Sequence, residues 1–377
     1  MIDPVALTQE LIRCPSITPK DEGVMAVLTG HLKALGFTCH PVTFKDSPGE
    51  PTENLYARLG TKQPNFCFAG HVDVVPPGDK SAWSVDPFSA TIKDGYLIGR
   101  GAEDMKSAIG AFVAAVSEFA AEPFNGSISL LITGDEEGVA INGTRKMLPW
   151  LKAKNEVIDA CIVGEPTNPD TLGQMAKIGR RGSAYGILTV KGKQGHAAYP
   201  ALADNPVTTI IAMLHHIKNT GLDKGTPFFP PSNLEITSVD VDNLAGNVIP
   251  AQAQARFNIR FNDQYDAKTI EAWVRTQLDA IQGNYELQWR ISGEAFITPP
   301  GKLSAIVQEA VKTVTGMTPE LSTTGGTSDA RFIKDICPVV EFGTTGSRAH
   351  AVDERVKIED IIKLKDIYRK VLEDFLS

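Results

Sequence analysis

The sequence predicts an α/β protein: a doubly wound sheet domain into which a second domain of ferredoxin-like (βαββαβ) order is inserted. Three observations carry that reading. Short apolar runs without alternation recur between helical patterns, at Phe66-Cys67-Phe68-Ala69-Gly70, Ser127 to Thr133 and Asp159 to Gly164. Runs of that kind read as parallel strands covered on both faces. Between Ala184 and Ser292 the order changes to β-α-β-β-α-β, the split arrangement. A chain of 377 residues is long enough for two domains and a large core. The expected bounds are 1–180 and 294–377 for the first domain and 181–293 for the insert.

Taken in order, apolar spacing predicts helices from Pro4 to Arg13 and from Gly23 to Leu35, the second stopping at Gly36. Phe37 to Phe44 and Asn54 to Leu59 read as strands. The Phe66 run ends at His71-Val72-Asp73, where residues two apart face the same side of an extended chain. Tyr96 to Gly99 is a short strand. Beyond Gly99-Arg100-Gly101-Ala102-Glu103-Asp104 lies a strong helix, with Met105, Ala108, Ile109, Phe112, Val113, Val116 and Phe119 on its apolar face. In that setting Asp104 reads as a helix cap and Glu103 as a first-turn charge.

The Ser127 strand ends in Gly134-Asp135-Glu136-Glu137-Gly138. Three adjacent carboxylates at a strand end repel one another and lose hydration unless cations neutralise them. Ligands of open α/β sheets bind outside the carboxyl ends of the strands, where this cluster falls. Gly143 to Lys154 reads as a helix. Asp159 to Gly164 is a strand running into Glu165-Pro166, and the proline holds that glutamate extended.

Gly179-Arg180-Arg181-Gly182-Ser183 reads as a hinge. In the insert, strands are expected at Ala184 to Lys191, Asn233 to Val241, Ala251 to Phe261 and Tyr285 to Ser292. Helices are expected at Asn205 to Asn219 and Ala267 to Ile281. His196 sits in a loop, Gly195 to Pro200. His215 and His216 do not share a helix face, and they read as bland, as do His31 and His40. After Gly301 the first pattern resumes, with a helix from Leu303 to Val314. Gly325-Gly326-Thr327-Ser328-Asp329 opens a further helix and could receive an anion. A strand from Cys337 to Phe342 follows, then His350 and a closing helix from Ile358 to Leu376.

Composition narrows the function. A net charge of −8 with no basic stripe argues against nucleic acid. The longest apolar stretch, Ile109 to Ala121, is too short to span a bilayer, and no basic-then-apolar signal segment opens the chain. Five scattered cysteines fit a reducing cytoplasm and offer no thiolate zinc site. No strand leads into a nucleotide-binding glycine loop.

Strand ends and helix starts together supply His71, Asp73, Asp104, Glu136, Glu137, Glu165 and His350. This nitrogen and oxygen donor set suits Zn²⁺, with Co²⁺ or Mn²⁺ as substitutes. One tetrahedral ion would not use so many acids, whereas two ions sharing a carboxylate would.

In that order these residues resemble the metal-site pattern of the M20 dimetal peptidase and deacylase family. The likeness covers the whole chain. Gly179-Arg180-Arg181-Gly182-Ser183, Gly195-His196-Ala197-Ala198-Tyr199-Pro200, Asn247-Val248-Ile249-Pro250 and Gly325 to Phe332 are more specific. They are similar to members that act on N-succinyl-diaminopimelate. The resemblance implies a zinc-peptidase-like catalytic domain with an inserted lid and dimerisation domain. It also implies hydrolysis of N-succinyl-LL-2,6-diaminopimelate to succinate and LL-2,6-diaminopimelate, for lysine and cell-wall precursors.

The same resemblance implies two Zn²⁺ ions, with Asp104 between them. His71 and Glu165 would hold one ion, and Glu137 and His350 the other. Glu136 would be the general base. Asp73 would accept from the His71 ring and fix its tautomer. A cis peptide is implied after Asp104. His196 would reach the reacting carbonyl from the second subunit of a homodimer. Arg180 and Arg260 would take the substrate's carboxylates, with hydrogen bonds from Asn247 and Thr327. Other M20 activities, such as acetylornithine deacetylase or a metallo-carboxypeptidase, are the alternative. So is a non-catalytic metal-dependent binding protein, against which the presence of Glu136 speaks.

Overall fold

The continuous apolar runs become the centre of an eight-stranded mixed sheet, seen in a computed structural model that describes residues 1–46 and 50–376. The chain divides into two units. The first holds residues 1–178 and 298–322 and everything from Ser328 onward. The second holds Gly179–Ile297 and Thr323–Thr327.

In the first unit the strand order is Thr38–Phe44, Thr52–Leu59, Ser127–Thr133, Asn65–His71, Ala160–Val163, Val339–Glu341, Met175–Lys177, Glu320–Ser322. Asn65–His71 runs parallel to both Ser127–Thr133 and Ala160–Val163, and Val339–Glu341 is parallel to the latter. Every residue of Asn65–His71, Ser127–Thr133 and Ala160–Val163 is buried. That explains why these strands read as unbroken apolar runs. Register shows what covers each face. Phe66 and Phe68 stack on Phe112 of the Ser107–Phe119 helix, and Phe68 meets Tyr368 of Ile358–Leu376 edge-on. Tyr56, aligned with Leu131 and Ala69, contacts Trp150 of Thr144–Ala153 on the opposite face. Helices therefore cover both sides, as a doubly wound sheet requires.

Among the described residues, four three-residue strands escape sequence reading: Thr91–Lys93, Met175–Lys177, Glu320–Ser322 and Arg355–Lys357. Three residues are too few to display a period.

The second unit is a four-stranded antiparallel sheet in the order Asn233–Asp240, Gln252–Phe261, Gly182–Lys191, Asn284–Gly293. Its helices, Pro206–Thr220 and Ala267–Asp279, bury Ile210, Met213, Ile217, Ile270, Val274 and Leu278 against Leu188, Phe257, Ile259 and Phe261. Burial alternates along Gln252–Phe261, which suits a sheet with helices on one face. Within the expected hinge segment, Gly179–Arg180 runs antiparallel to Phe296–Ile297. Both strands belong to the second unit. At Gly179 a Cβ would lie 2.2 Å from the Phe296 carbonyl oxygen, so the close pairing needs a glycine there.

Candidate metal centre

Because three neighbouring strands run parallel, their carboxyl ends fall on one edge of the sheet. His71 ends one strand. Asp135, Glu136 and Glu137 follow Thr133 of the next, and Glu165 follows Val163 of the third. His71 and Thr133 are cross-strand partners. The His71 ring points Nε2 at Asp104 Oδ1, 3.2 Å away, and at Glu165 Oε1, 3.8 Å away. The other oxygen of Asp104 faces His350 Nε2 at 3.3 Å, and that nitrogen lies 2.7 Å from Glu137 Oε1. Two donor groups result, His71–Asp104–Glu165 and Asp104–Glu137–His350. Each has its donor atoms within 4.8 Å of one another. Asp104 belongs to both, one oxygen toward each imidazole. Imidazole and carboxylate donors in this arrangement fit a pair of divalent cations.

The segment carrying Asp104 is not a helix cap. Residues Ala102–Lys106 form a π-helical turn with non-helical dihedrals at Asp104 and Met105, and the Asp104–Met105 peptide is cis. The helix proper begins at Ser107, and no side chain caps it. Glu103 is not a solvated first-turn charge either. It is buried and accepts from Thr345 Oγ1 at 2.8 Å and from the Arg348 N–H at 2.6 Å.

The expected acceptor for the His71 ring, the Asp73 carboxylate, stands 3.7 Å off. The Asp73 main-chain carbonyl takes that place, 2.9 Å from Nδ1. A carbonyl can only accept, so Nδ1 carries the proton and Nε2 is the nitrogen left to ligate. The Asp73 carboxylate instead receives the N–H groups of Glu136 at 3.2 Å and Glu137 at 3.1 Å. Asp135 accepts from Ala140, Ile141 and Asn142, which pins the chain leaving the Glu-Glu pair. These two acids aim the pair without contributing to either donor group.

Charge follows from this packing. Burial pushes Glu136 well above the ordinary carboxylate value, and the charge of Glu165 adds to the push. Burial also raises Asp73, to about 6, against the opposing pull of His71 and the two N–H groups. Burial alone would lower His71, but hydrogen bonding to Asp104 leaves it well above its usual range. Bonds to Asp104 and then Glu137 raise His350 to about 10. For Asp104, burial is outweighed by the bonds from His350 and His71, and its carboxyl lies far below the usual range.

The remaining expected residues lie in the second unit. His196 ends a two-residue strand, Gly195–His196, paired with Val248–Ile249. Its Nδ1 accepts from the Ala198 N–H at 3.0 Å, so Nε2 carries the proton as a potential donor. Beside it, the Asn247 carbonyl accepts from the Ala197 N–H. Arg260 lies on Gln252–Phe261, opposite Ser183 and Asn233. Arg180 Nη1 donates to the Gly326 carbonyl at 3.1 Å, next to Thr327. The helix after Asp329 has only four residues, Ala330–Ile333, too short to offer an anion site.

Arg100, Glu103 and Glu354 were not legible as contributors, and Asp135 was legible only as one of three acids that cations would neutralise. Their part is to hold main-chain groups, and no motif spacing marks that.

Residues 67–374 match the family described as Peptidase family M20/M25/M40. A succinyl-diaminopimelate desuccinylase of Rhodospirillum centenum is 58% identical over 377 residues, covering 100% of this chain and 98% of the relative. Among solved structures, an aminopeptidase of Bacillus cereus superposes with a TM-score of 0.77 at 19% identity, over 98% of this chain and 97% of that one. A dinuclear metal-binding M20 peptidase of Bacillus subtilis does so with a TM-score of 0.70 at 14% identity, over 99% and 97%.

Proposed function

The chain belongs to peptidase family M20/M25/M40, and from that premise we propose that it hydrolyses the amide of N-succinyl-LL-2,6-diaminopimelate, releasing succinate and LL-2,6-diaminopimelate. It is a metal-dependent amidohydrolase of lysine and diaminopimelate biosynthesis. The observation that carries the chemistry is Asp104, whose two carboxylate oxygens each face a different imidazole. In this reading His71, Asp104 and Glu165 hold one cation, and Asp104, Glu137 and His350 the other. Zn²⁺ suits the donors, and Co²⁺ or Mn²⁺ can replace it. Bound there, the cation pair supplies a water of lowered pKa and polarises the amide carbonyl.

The chain's own residues do the rest. Glu136 takes the proton of the attacking water as its oxygen bonds to the carbonyl carbon. It then returns that proton to the amine nitrogen as the carbon–nitrogen bond breaks. Asp73 and Asp135 keep the Glu136–Glu137 turn in place through five main-chain N–H groups. His196 donates from Nε2 to the developing oxyanion, reaching over from the second subunit of a cytoplasmic homodimer. Arg180 and Arg260 bind the substrate's carboxylates, and Asn247 and Thr327 add hydrogen bonds. Among the described residues no helix is long and apolar enough to cross a membrane.

The test is one assay on metal-loaded protein with three substrates: N-succinyl-LL-2,6-diaminopimelate, N-acetylornithine and a dipeptide. The first should lead by roughly 10²-fold or more in kcat/KM. Chelation should abolish all turnover. Faster cleavage of N-acetylornithine would move the assignment to another activity of the family.

A further inference from the structure

Glu354 is completely buried, four residues past His350, and both its oxygens are saturated by the turn that carries Asp104. Oε1 accepts from the N–H groups of Glu103 at 2.9 Å and Asp104 at 3.1 Å. Oε2 accepts from the Gly101 N–H at 3.0 Å and from Arg100 Nη1 at 2.7 Å. Arg100, itself 2% exposed, turns the rest of its guanidinium to the other side of the site. Nη2 donates to the His350 carbonyl at 3.1 Å and Nη1 to the Ala351 carbonyl at 3.2 Å. His350 has φ +63°, a left-handed conformation that a residue other than glycine keeps only when its surroundings enforce it.

We propose that Arg100 and Glu354 are positioning residues of the metal centre. They form one buried clamp that locks the main chain of Asp104 to the main chain of His350, and so sets how the two donor groups share Asp104. The inference rests on the two-cation reading above.

A pair kept for stability alone is the competing account. Buried Arg–Glu pairs are poor stabilisers on balance, because the loss of hydration offsets the attraction. This pair also spends its hydrogen bonds on the two segments that carry metal ligands. Outer partners of this kind typically change metal affinity by about 10–100-fold when removed.

The variants are Glu354→Gln and Arg100→Lys. A glutamine must turn its NH₂ toward one of the two N–H pairs, so it loses two of the four bonds. A lysine cannot span Glu354 and the His350 carbonyl together. The metal-free wild type and both variants are titrated with Zn²⁺ alone and with Co²⁺ alone. Calorimetry follows both titrations, and the visible absorption of Co²⁺ follows the second. The melting temperature of each metal-free protein is recorded in parallel.

Glu354→Gln should weaken both ions about 10-fold or more. Arg100→Lys should weaken the ion held by His350 more than the other, so that the two binding steps separate and the Co²⁺ spectrum changes. A lower melting temperature with both affinities within about twofold of wild type would overturn the proposal, because that is the signature of a purely structural pair. If Glu354→Gln fails to fold, Arg100→Lys decides on the same criteria. Wild type that binds no ion would remove the two-cation reading and this inference together, whereas unchanged binding in the variants removes only the clamp.

Discussion

Asp104 places an oxygen toward each of two imidazoles, and Glu136, near enough to His71 for their charges to interact, belongs to neither donor group. That difference separates ligation from proton transfer, and one substitution tests it. Glu136→Gln should retain two bound ions and lose roughly 10²–10⁴-fold in kcat. Turnover close to wild type would reject Glu136 as the base. The imidazoles make a pH-dependent expectation. In the metal-free chain, bonds to Asp104 and Glu137 push His350 up to about 10, and bonding to Asp104 holds His71 well above its usual range, which favours their charged forms. Ligation needs them neutral, so loading should release protons at pH 7, and ion affinity should rise as pH rises from about 6 to 8. The sign for folding is opposite. A histidine raised in the folded state stabilises the metal-free fold below its unfolded value, and that contribution fades as pH climbs through about 10. Calorimetry of Zn²⁺ binding in buffers of different protonation enthalpy measures the release, and none at all would contradict the assignment.

At the scale of elements, what aims the candidate ligands is a set of strands that cannot shift without exposing their core. Phe112 of the Ser107–Phe119 helix stacks on Phe68 at 4.5 Å and on Phe66 at 6.5 Å, and meets Tyr368 edge-on at 5.7 Å. Phe112→Ala should cost about 3–5 kcal/mol of stability, read from denaturant unfolding. It should also loosen the parallel strand that ends at His71. A loss below about 1 kcal/mol would mean that the ring cluster does not hold the sheet. The long elements of this unit were legible because each repeats a period several times. The Asp104 turn was not. Its sequence, Glu103-Asp104 before an apolar helix, is what an ordinary capped start looks like. The family resemblance alone implied the cis peptide after Asp104, and the backbone has it.

At the scale of the whole molecule, every expected substrate contact lies in the second unit and every expected metal ligand in the first. If His196 acts across a homodimer, two inactive chains can repair one another. Mixed dimers of His196→Ala and Glu136→Gln chains, refolded together, should recover roughly a quarter of wild-type activity, since one intact site forms in each heterodimer. Each variant alone should stay inactive with its ions bound. No recovery in heterodimers confirmed by mass would rule out the cross-subunit role.

The sequence by itself determined what depends on near neighbours and on side-chain chemistry. It marked the apolar runs as strands covered on both faces and the insert as a βαββαβ unit. It also marked His71, Asp73, Asp104, Glu136, Glu137, Glu165 and His350 as candidate nitrogen and oxygen donors, of which the family resemblance implied five as ligands. Tertiary structure decided what depends on contacts between distant segments. The proton on the His71 ring is fixed by the Asp73 carbonyl rather than its carboxylate. Three-residue strands exist because partners found them. Arg100 meets Glu354 across 254 positions of chain. Periodicity is a property of consecutive residues, whereas a hydrogen bond of that span exists only once the chain has closed on itself.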